Sequence, residues 1–120
     1  MTQVKTKRVY DPYSVEDGVR ILVDGLWPRG IKKEKLKYDI WEKQLAPSTS
    51  LRQWFHQNKI NNWEKFKSLY SQELQESDVV KNFAKNMTQY QVITLIYSTK
   101  DTEHNHVLVL KPFLENLLNT

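Results

Sequence analysis

Apolar residues follow two rhythms along the chain's 120 residues. Two short stretches are nearly all apolar, Arg20-Ile21-Leu22-Val23-Asp24 and Val92-Ile93-Thr94-Leu95-Ile96, the second running on to Ser98. Runs of that length bounded by polar residues read as buried strands. A third, Val4 to Tyr10, alternates charged with apolar side chains. Asp11-Pro12-Tyr13-Ser14 breaks it, because Pro has no N–H for a central ladder. Between the second and the last of these strands the period becomes helical. Trp63, Phe66, Tyr70 and Leu74 recur at i, i+3, i+7 and i+11, which is one stripe of a helix. Leu51, Trp54 and Phe55 make a shorter stripe. Val80, Phe83, Ala84 and Met87 make another, and Val107, Leu110, Leu114 and Leu117 the last.

Polar residues punctuate these segments. Ser14 is placed to cap a helical turn through Val15-Glu16-Asp17-Gly18. Ser48 or Thr49 is placed to cap the helix of Leu51, Asn61 or Asn62 the next, and Ser77 or Asp78 the third. A lysine-rich helix is expected from about Lys32. Residues Asp39 to Leu45 fit a helix and a strand equally. Pro112 falls inside the final stripe and predicts a kink or a late start. Strands apolar on both faces are covered on both faces, a habit of parallel sheets, and intervening helices supply the crossovers that parallel pairing needs. The expectation is an α/β fold: a single small three-layer domain over residues 1–120, its short, mainly parallel sheet flanked by helices.

Composition narrows the chemistry. The absence of Cys removes disulfides, thiolate nucleophiles, Cys-based zinc sites and iron–sulfur clusters. Three Gly cannot furnish a phosphate-cradling Gly-rich loop, and no Gly-x-Ser-x-Gly elbow occurs. No motif calls for a cofactor. No run approaches the ~20 apolar residues that cross a bilayer, and Met1-Thr2-Gln3-Val4-Lys5 lacks the apolar core of a signal peptide. A cytoplasmic protein without a membrane partner is expected. The net charge of +4 is uneven: residues 1–8 carry +3 and residues 29–37 carry +4, leaving −3 for the rest. Such segments suit an anionic ligand or nucleic acid, or form an ordinary solvated lysine face.

Ligands of open parallel sheets bind beyond the carboxyl ends of the strands. Three loops leave those ends. The first carries Asp11, the second Asp24, Trp27, Arg29 and Gly30, and the third Asp101, Glu103, His104, Asn105 and His106. Pro28 stiffens the second loop and Gly30 permits a sharp turn, so Arg29 is offered from a rigid mount with a fork suited to carboxylate or phosphate. A helix starting near Lys32 would add backbone N–H groups. The competing reading is a tight turn in which Arg29 pairs with Asp24 or another acid. Trp27 reads first as a packing anchor and second as a stacking platform.

In the third loop, His104 and His106 share a face only in extended backbone, since two residues on a helix diverge by about 200°. A metal would also need Asp24 or Asp101 as a third ligand, and no metal site is expected. Acid–base work fits better. The helix dipole disfavours a cationic imidazole at an N-terminus, leaving His106 or His104 neutral and able to accept a proton, with Asp24 or Asp101 orienting the ring. The bland alternative has Thr102 capping the helix, Glu103 in its first turn and the imidazoles serving loop backbone. His56 reads as a surface or capping residue. Ser14 and Ser98 are nucleophile candidates by position alone.

Arg8-Val9-Tyr10-Asp11-Pro12, Leu22-Val23-Asp24-Gly25-Leu26-Trp27-Pro28-Arg29-Gly30, Leu45-Ala46-Pro47-Ser48, Trp54-Phe55 and Asp101 to His106 together resemble the YeaO-like family, a branch of bacterial domain-of-unknown-function group 488. The resemblance runs from about Arg8 to Leu118. It implies a small α/β domain in a bacterial cytosolic protein, and it implies no reaction. Relatives usually carry Arg where this chain has Gly25, tend to lack Pro at position 112, and in the broader group often have a Cys-His pair where Asn105-His106 stands. A thiol mechanism therefore cannot carry over here, although His106 can. The leading expectation is a domain that binds or acts on a small anionic ligand, phosphorylated molecules included. Arg29, Trp27, Gly30, Asp11 and Asn105 would contact it, while His106, His104, Asp24 and Asp101 handle protons. The alternatives are a nucleic-acid-binding or regulatory module using the basic segments, and a non-catalytic partner-binding domain.

Overall fold

The computed structural model describes all residues, 1–120. Four strands form one parallel sheet: β1 (Gln3–Arg8), β2 (Val19–Leu22), β3 (Ile40–Trp41) and β4 (Val92–Tyr97), in the order β1-β4-β2-β3. The last strand in sequence is therefore a central one. In register, Lys7 lies opposite Ile96, and Ile96 lies opposite Leu22. The stretch that fits helix or strand equally becomes β3 and a 3-10 turn at Lys43–Leu45.

Alternation along the strands gives the sheet two unlike faces. Val4, Ile21, Val23, Ile93 and Leu95 point to one side and join a single large core with the helices α1 (Thr49–Gln57), α2 (Lys59–Glu76), α3 (Asp78–Met87) and α4 (Val107–Leu118). Leu22, Ile96 and Val9 point to the other side, where Leu36, Trp27, Ile31 and Trp41 cover them. The α/β class and the parallel sheet are as the pattern predicts. The third layer is made of the irregular segment between β2 and β3, with all four helices on the opposite face.

That segment is where a lysine-rich helix was expected near Lys32, and none forms. A single turn closes from the Lys35 N–H to the Lys32 carbonyl, 2.9 Å. The Trp27 indole donates to the Ile31 carbonyl (2.6 Å) and the Arg20 Nε to the Lys37 carbonyl (2.7 Å), pinning the segment flat on the sheet. Its apolar residues Ile31 and Leu36 are five apart and make no helical stripe.

The capping expectations fare unevenly. Ser14, Ser48 and Ser77 cap as predicted. Asn61 and Asn62 do not, because Asn58 takes the role first: its extended backbone ends α1, and its side chain accepts from the Asn61 N–H at 3.2 Å to start α2. Thr102 caps nothing. Asn105 does the work for α4, accepting from the Leu108 N–H at 3.0 Å. Helix α4 begins at Val107 and runs through Pro112 to Leu118, so the late start does not occur.

Two features fix the second face. Gly18 has φ 63°, and a Cβ there would sit 2.1 Å from the Val92 carbonyl oxygen, so only glycine fits. Beside it, buried Asp17 pairs with Lys7 at 3.1 Å and with the buried Arg20 guanidinium, while its backbone carbonyl accepts from the Thr94 hydroxyl. No helix is long and apolar enough to cross a membrane.

A candidate anion-binding cleft at the carboxyl edge

Because β1, β4 and β2 are adjacent and parallel, their exit loops meet on one edge. A cleft of about 450 Å³ opens there. One wall is the β2 exit loop, Asp24 to Arg29, with Tyr10 from the β1 exit. The floor comes from Ser98, Thr99 and His104 to His106. The facing wall is α1 and the start of α2, bringing Arg52, Phe55, His56 and Lys59. All three histidines of the chain line this one space.

Asp24 and His106 form its inner corner. One Asp24 carboxylate oxygen accepts from the Ser98 N–H (3.0 Å) and hydroxyl (2.7 Å), and the other lies 3.5 Å from His106 Nε2. Nε2 also lies 3.1 Å from the Val23 carbonyl. A carbonyl only accepts, so Nε2 carries the proton and the neutral ring has its lone pair on Nδ1. Nδ1 has no hydrogen-bond partner in the chain, and His106 lines the cleft. Burial pushes the His106 pKa below its ordinary value, and the opposing pull of Asp24 and the Val23 carbonyl does not undo this. Desolvation, and not the helix dipole invoked from the sequence, is the main influence against the cationic ring.

Other predicted residues are loop braces. Asp101 accepts from the N–H groups of Glu103 (3.0 Å) and His104 (2.9 Å), which hold its carboxyl below the usual range, and it stands 3.8 Å from Lys59. The His104 ring packs edge-on to Trp63 at 5.5 Å, with Nδ1 3.6 Å from Asp101. Asn105, 4% exposed, spends its amide on the Asp101 carbonyl and the Leu108 N–H. Trp27 edges the cleft but is anchored between Trp41 and Tyr38. Asp11 accepts from the Arg8 N–H, closing its own exposed turn outside the cleft. Gly30 has φ 79° and supplies the turn, but does not line the space. Arg29 lines the cleft and does not pair with Asp24; its carbonyl accepts from the Tyr10 hydroxyl at 2.9 Å. No group of three His, Asp or Glu converges as a metal site would need.

Sequence reasoning missed the α1 wall. Arg52, half-buried, has no ion pair or side-chain hydrogen bond in the chain, and its donors are not sealed from solvent. Lys59 has only the long Asp101 contact. His56, read as a surface residue, is exposed yet lines the cleft, and its pKa is lowered by burial and by nearby Lys59, Arg52 and His106. The signal was there in part: Arg52, Phe55 and His56 recur at i, i+3 and i+4, one face of α1 that mixes charge with aromatic, and Lys59 follows at the start of α2. Three cations thus line a cleft whose single carboxylate is Asp24. Arg8 is a further brace, donating to the Ser98 (2.8 Å) and Thr99 (3.0 Å) carbonyls.

Fold and cleft together describe a small parallel α/β domain with a cationic, histidine-rich pocket at its carboxyl edge. The chain belongs to the family described as the inactive DUF488-N3 subclade, whose model matches residues 3–120. It is 44% identical to the uncharacterized protein YeaO of Escherichia coli K12, over 95% of this chain and 98% of that protein. It is 36% identical to the uncharacterized protein Rv3073c of Mycobacterium tuberculosis, over 94% of each chain. No solved structure matches the chain.

Proposed function

We propose that this single-domain cytoplasmic protein binds a small anionic molecule, phosphate esters included, in the cleft at the carboxyl edge of its sheet. The observation that carries this reading is Arg52, a half-buried guanidinium with no partner of its own, facing the same space as Arg29 and Lys59. Leaving such a fork without a counter-charge is costly unless a ligand or water supplies one. The family's description as inactive, together with the lack of any Cys, supports binding over turnover. One specific observation favours a second, catalytic reading: the unpartnered Nδ1 of His106, whose ring is backed by Asp24, has the arrangement of a general base.

The basic N-terminus lends little to a nucleic-acid reading. Lys7 and Arg8 are turned inward to Asp17 and to loop carbonyls, and Lys5 reaches the Glu16 carbonyl. Calorimetry at low salt with inorganic phosphate and a panel of phosphate monoesters tests the proposal. Binding is expected, and Arg52→Gln should weaken it by about 10- to 100-fold, the worth of a charge-assisted hydrogen bond. No binding to any of these anions would overturn it.

A further inference from the structure

We propose that the cleft takes up a fully ionised oxyanion of the sulfate or phosphate-monoester class together with one proton, which His106 holds on Nδ1 and donates to the anion. The inference rests on the anion-binding reading above and adds which atom meets the ligand and in what form.

The geometry leaves little choice. Nε2 is committed to the Val23 carbonyl, so any change of protonation happens at Nδ1, the unpartnered nitrogen of a ring that lines the cleft. As it stands, Nδ1 offers a lone pair, which repels an oxyanion unless the anion brings a proton of its own. Once protonated, the ring donates from both nitrogens and carries a charge. Burial disfavours that charge. Asp24, after β2, is 3.5 Å from Nε2 and favours the cation, but Ser98 already draws on its other oxygen. Tyr70 of α2 stands 6.3 Å away with its hydroxyl buried on the Leu45 carbonyl, and burial raises its pKa far out of range. Arg52 and His56 of α1, Lys59 of α2 and His104 of the same loop add cations or potential cations to the same space. Burial opposes the proton; an anion seated among these groups supplies a counter-charge for the ring and gives Nδ1–H an acceptor. Anion and proton therefore bind with positive coupling, and by linkage each strengthens the other.

Sulfate and a phosphate monoester separate the source of the proton. Sulfate has none to give at neutral pH, whereas the monoester has a second pKa of about 6 and can bring its own. Calorimetry in two buffers of different ionisation heat, at about pH 7.5, should show uptake of about one proton per sulfate bound. Sulfate affinity should rise by up to about tenfold per pH unit as pH falls while the free ring is neutral. The monoester's affinity should depend less on pH below its own pKa. His106→Gln, whose amide can still donate to the Val23 carbonyl, should abolish the uptake, and His56→Gln should retain it. Should His106→Gln fail to fold, the His106 imidazole resonance in the unaltered protein must titrate at higher pH with sulfate than without. Sulfate binding with no proton uptake, uptake that survives His106→Gln, or an unmoved His106 titration would overturn this inference and leave the anion cleft standing. Failure of both anions to bind at low salt would overturn the cleft reading as well.

Discussion

His106 shows how one ring serves two ends. Its Nε2 closes the inner corner of the cleft, its Nδ1 has no partner in the chain, and burial disfavours its charged form. The sign of the resulting stability change follows directly. With the folded pKa depressed below the ordinary 6.5, the unfolded chain takes up the proton first as pH falls. This contribution is therefore whole above about pH 6.5 and shrinks as the pH falls below it. Urea denaturation at pH 7 and pH 5 should show a larger loss for the unaltered protein than for His106→Gln, and sulfate at pH 5 should restore part of it. Asn105 is a second residue-scale test. Asn105→Ala removes the α4 cap and leaves the Asp101 carbonyl unpaired, which should cost about 1–3 kcal/mol and speed amide exchange in the first turn of α4. Residues of this kind were legible when they sat in loops, where two histidines and an Asn have little reason to crowd. Arg52 was not, because a cation on a helix reads as solvated until the fold shows which face it occupies.

Among the elements, α4 holds the clearest anomaly. Pro112 is exposed in mid-helix, where it lacks the N–H that would reach the Leu108 carbonyl. Its side chain fills no core that a replacement would vacate. Pro112→Ala should stabilise the protein by about 1–3 kcal/mol, seen as a thermal midpoint raised by several degrees. The helices with continuous apolar stripes, α2 and α3, were legible at once, since a stripe is a property of the segment alone. The segment before β3 was not. Its lysines suggested a helix, but its shape is imposed by Trp27, Arg20 and the sheet face beneath it. Strand β3 is two residues long, specified by its register with Ile21 and Leu22 and not by any pattern of its own.

For the molecule as a whole, the parallel sheet and the meeting of three exit loops followed from apolar runs separated by helices. The asymmetry of its layers did not, because the second face is covered by irregular chain and a buried ion cluster that no periodicity announces. That cluster sets the acid limit. Burial would raise the Asp17 pKa, but Lys7, the Ser14 N–H and Arg20 outweigh it and hold the carboxyl low; Asp101 is also held low. Stability from these groups is complete above the ordinary 3.8 and fades as pH falls through their folded values. A second loss on acidification is thus expected below about pH 4, distinct from the imidazole step. Asp17→Asn should cost about 3–5 kcal/mol at neutral pH by stranding Arg20 and Lys7, and should blunt the acid loss.

The strand order carries a consequence for synthesis. β1 pairs only with β4, and β2 reaches β1 only through β4, which begins at Val92. A nascent chain that has emerged through α3 therefore holds three strands of which only β2 and β3 can pair, over two residues each. The first strand to emerge waits, unpaired and half-apolar, until about three-quarters of the chain has followed it, so the sheet assembles late and from its middle.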